Sequence, residues 1–288
     1  MLTNSAVNTG CSKPYCTCFD SVKSALFGRF FVCLWLFTGV PAGLQAKTDS
    51  LHDPACRTAD YDAEVEVKKI IDGDTIILSD NRHVRLVGID TPEIGRDGNV
   101  SEPGAEEARN FLERLLHTNN RLRLHFDKEK YDRYDRTLAH LFLPNGLNIQ
   151  ALLLSRGLAT TLTIPPNLEF LDCYQSSVAD ARLHHIGLWA MRNYQPLPAT
   201  QISPKSLGYR IITGEVTRTG ESRSTFWINL GRNVALRITQ EDMAYFDSQD
   251  LQGLVGKTVL AQGWLYLGNG EYRMQIRHPA DLHILSLN

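Results

Sequence analysis

The chain has 288 residues, of which 43% are hydrophobic and 22% are charged, and its formal net charge is −2. This length exceeds one small domain, and the composition is ordinary for a soluble globular protein, so we expect two folded domains and one processed segment. The balanced charge argues against tight non-specific binding of nucleic acid over the whole surface.

Residues 1–46 have the pattern of a signal peptide. Lys13, Lys23 and Arg29 come first, and an uncharged apolar run follows from Phe30 to Val40. The run is shorter than the roughly 20 apolar residues of a membrane span, and small residues at 42–46 fit a cleavage site. We expect an exported protein, periplasmic or secreted. An N-terminal anchor in contact with the membrane is the alternative, if the segment stays uncleaved.

Four of the six cysteines fall inside this segment, which leaves Cys56 and Cys173. Two cysteines in an exported chain can form one disulfide, which here would tie the residues before the first strand to the last helix of the first domain. The alternative is that both cysteines are free thiols, and the sequence does not decide between the disulfide and the free thiols.

Residues 62–192 predict a small barrel with helices. Short β-branched and alternating runs predict five strands, at 65–72, 75–78, 83–89, 122–127 and 137–143. Helices are predicted at 103–119, 149–156 and 168–185. A five-stranded OB-type barrel with packed helices accounts for this set, so the predicted fold class is mainly β with α.

Three charged motifs lie in this part of the chain. D-G-D-T begins at residue 72, R-L-V-G-I-D-T-P-E at residue 85 and D-R-Y-D-R at residue 132. Each motif alone is also what ordinary turns contain. Together they supply three carboxylates and two guanidinium groups, from Asp74, Asp90, Glu93, Arg85 and Arg136. Carboxylates can hold a hard cation and orient a water, and arginines can neutralise phosphoryl oxygens, so the set predicts phosphodiester hydrolysis.

The spacing of these groups also predicts a bend. Arg85 and Asp90 are five residues apart, so an unbroken strand would point them to opposite faces. We predict a bend or bulge at Gly88 that brings them together at the rim of the barrel. The polar loop at 94–102 could be a lid beside Glu93 or a solvated connector, and we favour the connector.

The order and spacing of the motifs resemble the staphylococcal nuclease (thermonuclease) family, over about residues 65–189. The resemblance implies an endonuclease that acts on DNA or RNA, cleaves the P–O5′ bond and leaves 3′-phosphate ends. It implies that Asp74, Asp90 and the backbone carbonyl of Thr91 bind Ca²⁺. It also implies Glu93 as the general base or water-orienting group, and Arg85 and Arg136 as the phosphate clamp.

The chain departs from the family at two positions. Thr163 and Pro165 stand where the resemblance implies tyrosines near the sugar and base of the substrate, whereas Tyr134 is kept. The chemistry of the ligands agrees with the resemblance, because an oxygen-only set selects Ca²⁺ or Mg²⁺ over zinc, and no zinc site is predicted. No obligate protein partner is indicated.

Residues 193–207 carry three prolines among polar residues and are predicted to be a linker. Beyond it, residues 208–288 predict a small accessory β-barrel, with an OB-like barrel as one option, from strands at 211–217, 224–230, 233–238, 258–265 and 272–276. A helical stretch is predicted near 240–249.

The aromatic residues of this second barrel have two interpretations. They could stack on unpaired bases beside Arg223 and Arg273, or they could form the barrel core, and we expect the core. The residues concerned are Phe226, Trp227, Trp264 and Tyr266. The competing hypothesis for the whole chain is a non-catalytic nucleic-acid-binding or scaffold protein built on two barrels.

Overall fold

The computed structural model describes residues 56–231, 233–246 and 250–285. The predicted signal peptide, residues 1–46, lies outside these ranges. Within them, no helix has the length and apolar character that a membrane crossing requires.

The first barrel is closed by five strands, and three helices pack around it. Its elements are β1 (Ala63–Ile70), β2 (Thr75–Leu78), β3 (His83–Leu86), β4 (Ile89–Asp90), α1 (Ala105–Leu116), β5 (Arg121–His125), β6 (Thr137–Phe142), α2 (Ile149–Ser155), β7 (Thr160–Thr161) and α3 (Leu171–Leu183). The barrel order is β1-β2-β3-β6-β5, with β5 returning to β1, and β3 pairs with β6 in parallel. The predicted mainly β fold with packed helices is confirmed.

Alternation along the strands builds the core of this barrel. On β2 and β3, Ile76, Leu78, Val84 and Leu86 are each no more than 1% exposed. Their neighbours point outward, as expected where successive strand residues face opposite sides. Burial of such side chains stabilises each strand by roughly 1.5–3 kcal/mol per residue, which fixes the register of the rim residues.

A second barrel follows the first. Its strands are β8 (Pro196–Pro198), β9 (Gly208–Ser222), β10 (Thr225–Leu230), β11 (Val234–Thr239), β12 (Thr258–Gly268), β13 (Glu271–Gln275) and β14 (Leu282–Leu285). The pairings run β9-β10-β11-β13-β12 and return to β9, and β11 lies parallel to β13. In each barrel the five strands, counted in chain order, are arranged 1-2-3-5-4, and the third strand lies parallel to the fifth. The second barrel therefore has the OB-like topology that the sequence allowed.

Two local expectations differ from the structure. Residues 193–207 were predicted to be a linker, but β8 lies within them and pairs in parallel with β9, so this segment is part of the second sheet. The helical stretch predicted near 240–249 is reduced to a 3₁₀ turn at Asp242–Tyr245, and residues 247–249 lie outside the described ranges. Short 3₁₀ turns form where the apolar pattern is too brief to sustain an α-helix.

A buried polar contact joins the two barrels. Gln262 on β12 donates to the Asp281 carboxylate at 2.8 Å and to the Thr161 hydroxyl at 3.3 Å. Thr163 donates to the same carboxylate at 3.3 Å, and Arg182 of α3 donates to the Gln262 carbonyl. Burial raises the pKa of Asp281 to about 6. Because unpaired buried polar groups are costly, this network holds β12 beside β7 in one position.

A disulfide connects the start of the described chain to α3. Cys56 and Cys173 are bonded, with their Cα atoms 5.5 Å apart and a sequence separation of 117. Both are buried in the first core. The structure therefore contains the bridge that the sequence left open.

We predict that removing this bridge lowers the free energy of unfolding by about 4–5 kcal/mol, because a long closed loop restricts the unfolded chain. Urea unfolding of the oxidised chain and of the Cys56→Ser/Cys173→Ser variant measures the difference. Non-reducing peptide mapping is the control and should recover a linked Cys56–Cys173 peptide. Recovery of both residues as free thiols in the native chain would contradict the prediction.

Candidate active site

Arg85 lies at the centre of the candidate site. The pairing of β2 with β3 sets Arg85 opposite Thr75, directly beside Asp74. One guanidinium nitrogen is 3.1 Å from the Asp74 carboxylate and the other is 2.8 Å from the Asp90 carboxylate. The same group donates to the backbone carbonyls of Leu86 and Ile89 at 3.0 Å. Three hydrogen bonds and the ion pair with Asp74 thus fix its planar fork at the barrel rim.

The chain bends at Gly88, where the sequence predicted it. Gly88 has φ +82°, and a Cβ at this position would lie 2.6 Å from the buried ring of Tyr174. Glycine alone adopts this conformation without steric cost and leaves room for the ring. The bend ends at β4, whose Asp90 is then held by the pairing of β4 with β7.

Asp74 is oriented by its neighbours. Its Oδ2 accepts hydrogen bonds from the backbone N–H of Thr91 at 2.7 Å and from the Thr91 hydroxyl at 3.0 Å, and its Oδ1 accepts from Thr75 at 3.0 Å. The predicted ligand residues Asp74 and Thr91 are therefore in direct contact. Three donors on one buried carboxylate fix its rotamer.

Asp72 is a fourth acid that the sequence reasoning did not assign. It is buried, accepts the backbone N–H of Asp74 at 3.2 Å and lies 3.6 Å from Arg96. Burial, together with the Asp74 and Glu93 charges, raises the pKa of Asp72 to about 7. The sequence did contain an indication that Asp72 belongs to the site. Asp72 lies two residues before Asp74, and a D-G-D turn places both carboxylates near one backbone segment.

Glu93 stands at the base of the polar loop. Its backbone N–H donates to the Glu102 carboxylate at 3.0 Å, and the Glu102 N–H donates back to the Glu93 carbonyl at 2.9 Å. The Glu93 side chain is exposed, and desolvation and the charge of Asp74 raise its pKa. The reciprocal bonds tie the two ends of the loop together, as in a connector, and leave the Glu93 carboxylate facing solvent beside Asp74.

The acids form a set of oxygen donors with surplus negative charge. Burial raises the pKa of Asp90 to about 7, and the Asp74 and Glu93 charges add to this effect while Arg85 opposes it. Such a set favours a hard divalent cation, so the residues fit Ca²⁺ or Mg²⁺. Among the described residues, no group of three or more His, Cys, Asp or Glu side chains is arranged as a metal centre. The predicted set itself contains two carboxylates and a carbonyl.

Arg136 shares a cavity with Arg85. It pairs with Asp132 at 2.7 Å, and Asp132 also accepts the backbone N–H groups of Tyr134 and Arg136. Arg85, Tyr134 and Arg136 line one cavity of about 520 Å³, here called the arginine cavity. The two predicted clamp residues therefore face the same space, which falls within the range of small-molecule and cofactor sites.

The second barrel reaches the site, which the sequence did not predict. The Trp264 indole N–H lies 3.3 Å from the second oxygen of Asp90, and Arg277 lines the arginine cavity. Phe226 is buried in the second core, as expected, but Trp264 and Tyr266 are exposed. The expectation that these two belong to the barrel core is wrong, because β12 turns their faces toward the first barrel.

Four acids at the rim of the first barrel, Asp72, Asp74, Asp90 and Glu93, are here called the acidic cluster. The five-stranded OB-type barrel, this cluster and the two arginines together define the class of protein, which the comparisons identify. The profile of the family described as "Staphylococcal nuclease homologue" matches residues 83–191. The chain is 36% identical to a thermonuclease of Staphylococcus intermedius over 43% of this chain and 74% of that protein. It is 33% identical to a thermonuclease of Staphylococcus hyicus over 43% of this chain and 75% of that protein.

The chain belongs to the staphylococcal nuclease homologue family. An SPbeta prophage-derived endonuclease of Bacillus subtilis is 30% identical over 46% of this chain and 45% of that protein. The family profile ends at residue 191, before the second barrel begins.

We predict that Gly88→Ala lowers the free energy of unfolding by about 2–4 kcal/mol. A positive φ costs about 1–2 kcal/mol for alanine, and contact with the Tyr174 ring adds a similar cost of overpacking. Gly270→Ala is the matched control, because Gly270 has φ +81° and no atom within 4 Å of its added Cβ. Urea unfolding measures both variants, and equal losses would show that the Tyr174 contact has no role.

Proposed function

We propose that this protein is a calcium-dependent nuclease that hydrolyses phosphodiester bonds in DNA or RNA. The observation that carries the proposal is the bridging of Asp74 and Asp90 by Arg85 at the rim of a cavity that Arg136 also lines. Family membership and the thermonuclease and endonuclease relatives support it.

Two arginines bind the scissile phosphate in this proposal. Arg85 and Arg136 donate to its non-bridging oxygens from the arginine cavity and stabilise the charge that grows there in the transition state. The fork of Arg85 is already oriented by its carboxylate and carbonyl partners, so little reorganisation is needed. Tyr134, which lies under the Arg133 and Arg136 guanidinium groups, supports the second arginine.

Glu93 acts on the water in this proposal. Its exposed carboxylate accepts a proton or a hydrogen bond from the attacking water, and its raised pKa brings it nearer to neutral pH and strengthens it as a base. Attack on phosphorus breaks the P–O5′ bond and leaves a 3′-phosphate end.

Asp74, Asp90 and the backbone carbonyl of Thr91 would hold Ca²⁺. When bound, the ion supplies positive charge next to the phosphate and the water. Asp74 is prepared for this role by its three hydrogen-bond donors, which keep its carboxylate oriented. Burial raises the pKa of Asp90, and the Asp74 and Glu93 charges add to this effect although Arg85 opposes it, so a bound cation would favour the charged form of Asp90.

Export to the periplasm or the medium is part of the proposal. The Cys56–Cys173 bridge supports it, because disulfides persist in oxidising compartments. Cell fractionation with an antibody to the chain tests this directly, and a wholly cytoplasmic signal would refute export.

We predict that single-stranded DNA is cut in the presence of calcium and stays intact with chelator, because the acidic cluster needs a cation beside the phosphate. Gel analysis of an end-labelled oligonucleotide measures this, and phosphatase sensitivity of the new ends identifies 3′-phosphates. Retention of intact DNA in both conditions would instead support the non-catalytic binding protein.

We predict that Arg85→Ala and Arg136→Ala each lower kcat by about 10²- to 10³-fold or more, the usual cost of removing one transition-state donor. Glu93→Gln should lower kcat by about 10²- to 10⁴-fold, because an amide cannot accept the proton of the attacking water. Arg85→Lys should also lose activity, because lysine cannot bridge two carboxylates with one planar group. Arg82→Ala is the matched control, since Arg82 lies three residues earlier on the same hairpin and pairs with exposed Asp80. Near-normal turnover in Glu93→Gln would remove Glu93 from the mechanism.

A further inference from the structure

Four aromatic side chains expose more than a third of their surface among the residues that the structure describes. They are Tyr131, Tyr134, Trp264 and Tyr266, at 61%, 65%, 46% and 38% exposure. All four line two cavities on the same face, although they come from different barrels. Exposed aromatic residues that cluster on one surface are typical of binding sites, whereas single exposed ones are ordinary.

The cavities on this face are continuous. Ile164 and Arg277 line both the arginine cavity and a second cavity of about 290 Å³. Tyr209 and Trp264 line that second cavity and also a third of about 330 Å³, which Asp90 borders. We call the path through these three cavities the aromatic groove. It follows the seam between the barrels and borders both the two predicted clamp arginines and Asp90, which Arg85 contacts at 2.8 Å.

Cationic side chains are spaced along the aromatic groove. Arg277 lies between its first two cavities and is oriented by an ion pair with buried Asp242 at 3.2 Å. Three more arginines line the arginine cavity and two line the third cavity: Arg85, Arg133 and Arg136 in the first, Arg192 and Arg210 in the other. Five carboxylates also line the groove, those of Asp90, Glu102, Glu129, Asp132 and Asp281. Arginines that alternate with aromatic faces are the combination that binds the backbone and bases of single-stranded nucleic acid.

Trp227 offers a second surface, which the structure disfavours. It lies on β10 beside a separate cavity that shares no residue with the aromatic groove. The Arg273 guanidinium covers its ring at 4.8 Å, and its indole N–H bonds Ser222 at 3.3 Å. A base could stack there only after displacing Arg273, whereas Trp264 and Tyr266 present their surface to the groove.

We propose that the aromatic groove is a substrate subsite in which unpaired bases of a single strand stack on Trp264 and Tyr266, with a phosphate at Arg277. This inference rests on the proposed nuclease function and deepens it, because it gives the second barrel a part in binding the substrate. A stacked base has to leave its duplex partner, so stacking on these two side chains requires an unpaired strand. The second barrel is then part of the substrate site.

The first test measures binding apart from cleavage. A fluorescent single strand of about 12 nucleotides, within the footprint of one or two such barrels, is titrated in chelator, and a gel checks its length. Tyr266→Ala and Trp264→Ala should each weaken binding about 5- to 150-fold, the loss typical of one stacked base. Trp264→Phe should keep most of the affinity, because it keeps an aromatic face and loses only the N–H to Asp90.

Two controls locate the site. Trp227→Ala removes an aromatic residue from the same barrel but outside the groove, and it should leave binding unchanged. The duplex of the same sequence should bind more weakly and be insensitive to all three groove variants. Loss of affinity in Trp227→Ala alone, or equal losses for single strand and duplex, would overturn the proposal. Thermal unfolding confirms that each variant is folded.

A second measurement needs no variant. Photocrosslinking of the unaltered chain to a single strand carrying bromodeoxyuridine should label the peptide that contains β12. Labelling confined to the β9–β10 hairpin, where Trp227 lies, would overturn the proposal even if a groove variant failed to fold.

Kinetics separate this inference from the proposed function. With calcium, Tyr266→Ala should raise KM for the single strand and leave kcat nearly unchanged, because Tyr266 does not contact the acidic cluster. If the unaltered chain cleaves and Tyr266→Ala changes neither KM nor binding, the groove proposal fails alone. If the chain never cleaves but the groove variants lose binding in chelator, the nuclease proposal fails and the groove stands.

Discussion

The whole site depends on one interaction, the bridge that the Arg85 guanidinium makes between the Asp74 and Asp90 carboxylates. Asp74 directly precedes β2 and Asp90 lies on β4, and both side chains are largely buried. Without a shared cation their charges would repel each other in a poorly solvated position. Arg85 therefore allows the acids to approach, and it holds them at the place where a phosphate would also meet its guanidinium group.

The crowding of buried carboxylates lowers the stability of the folded chain, and other parts of the fold offset that cost. Asp72 and Asp90 have pKa values near 7 because burial and neighbouring carboxylates disfavour their charged forms. The bend at Gly88, the packing of Tyr174 beneath it and the pairing of β4 with β7 keep the acids in place despite this cost. Strain and crowded charge of this kind are typical of functional sites, which rigid neighbouring elements hold together.

The local parts of the site could be predicted from the sequence, and the distant parts could not. The five-residue spacing of Arg85 and Asp90 required a bend, and Gly88 was the residue that could make it. Trp264 carried no such signal, because it meets Asp90 across 174 residues of sequence. Its apolar character fitted a barrel core equally well, and only the packing of β12 against β7, through Gln262 and Asp281, shows which way it faces.

The two barrels share one strand order but contribute different chemistry. The first places its acids and arginines at the rim, where strands end and side chains reach solvent. The second presents the outer face of β12 to that rim, so its aromatic residues line a groove that neither barrel could form alone. A net charge of −2 leaves the surface as a whole balanced, which limits unproductive binding of nucleic acid. The arginines that line the groove would contact the phosphates of the proposed substrate locally.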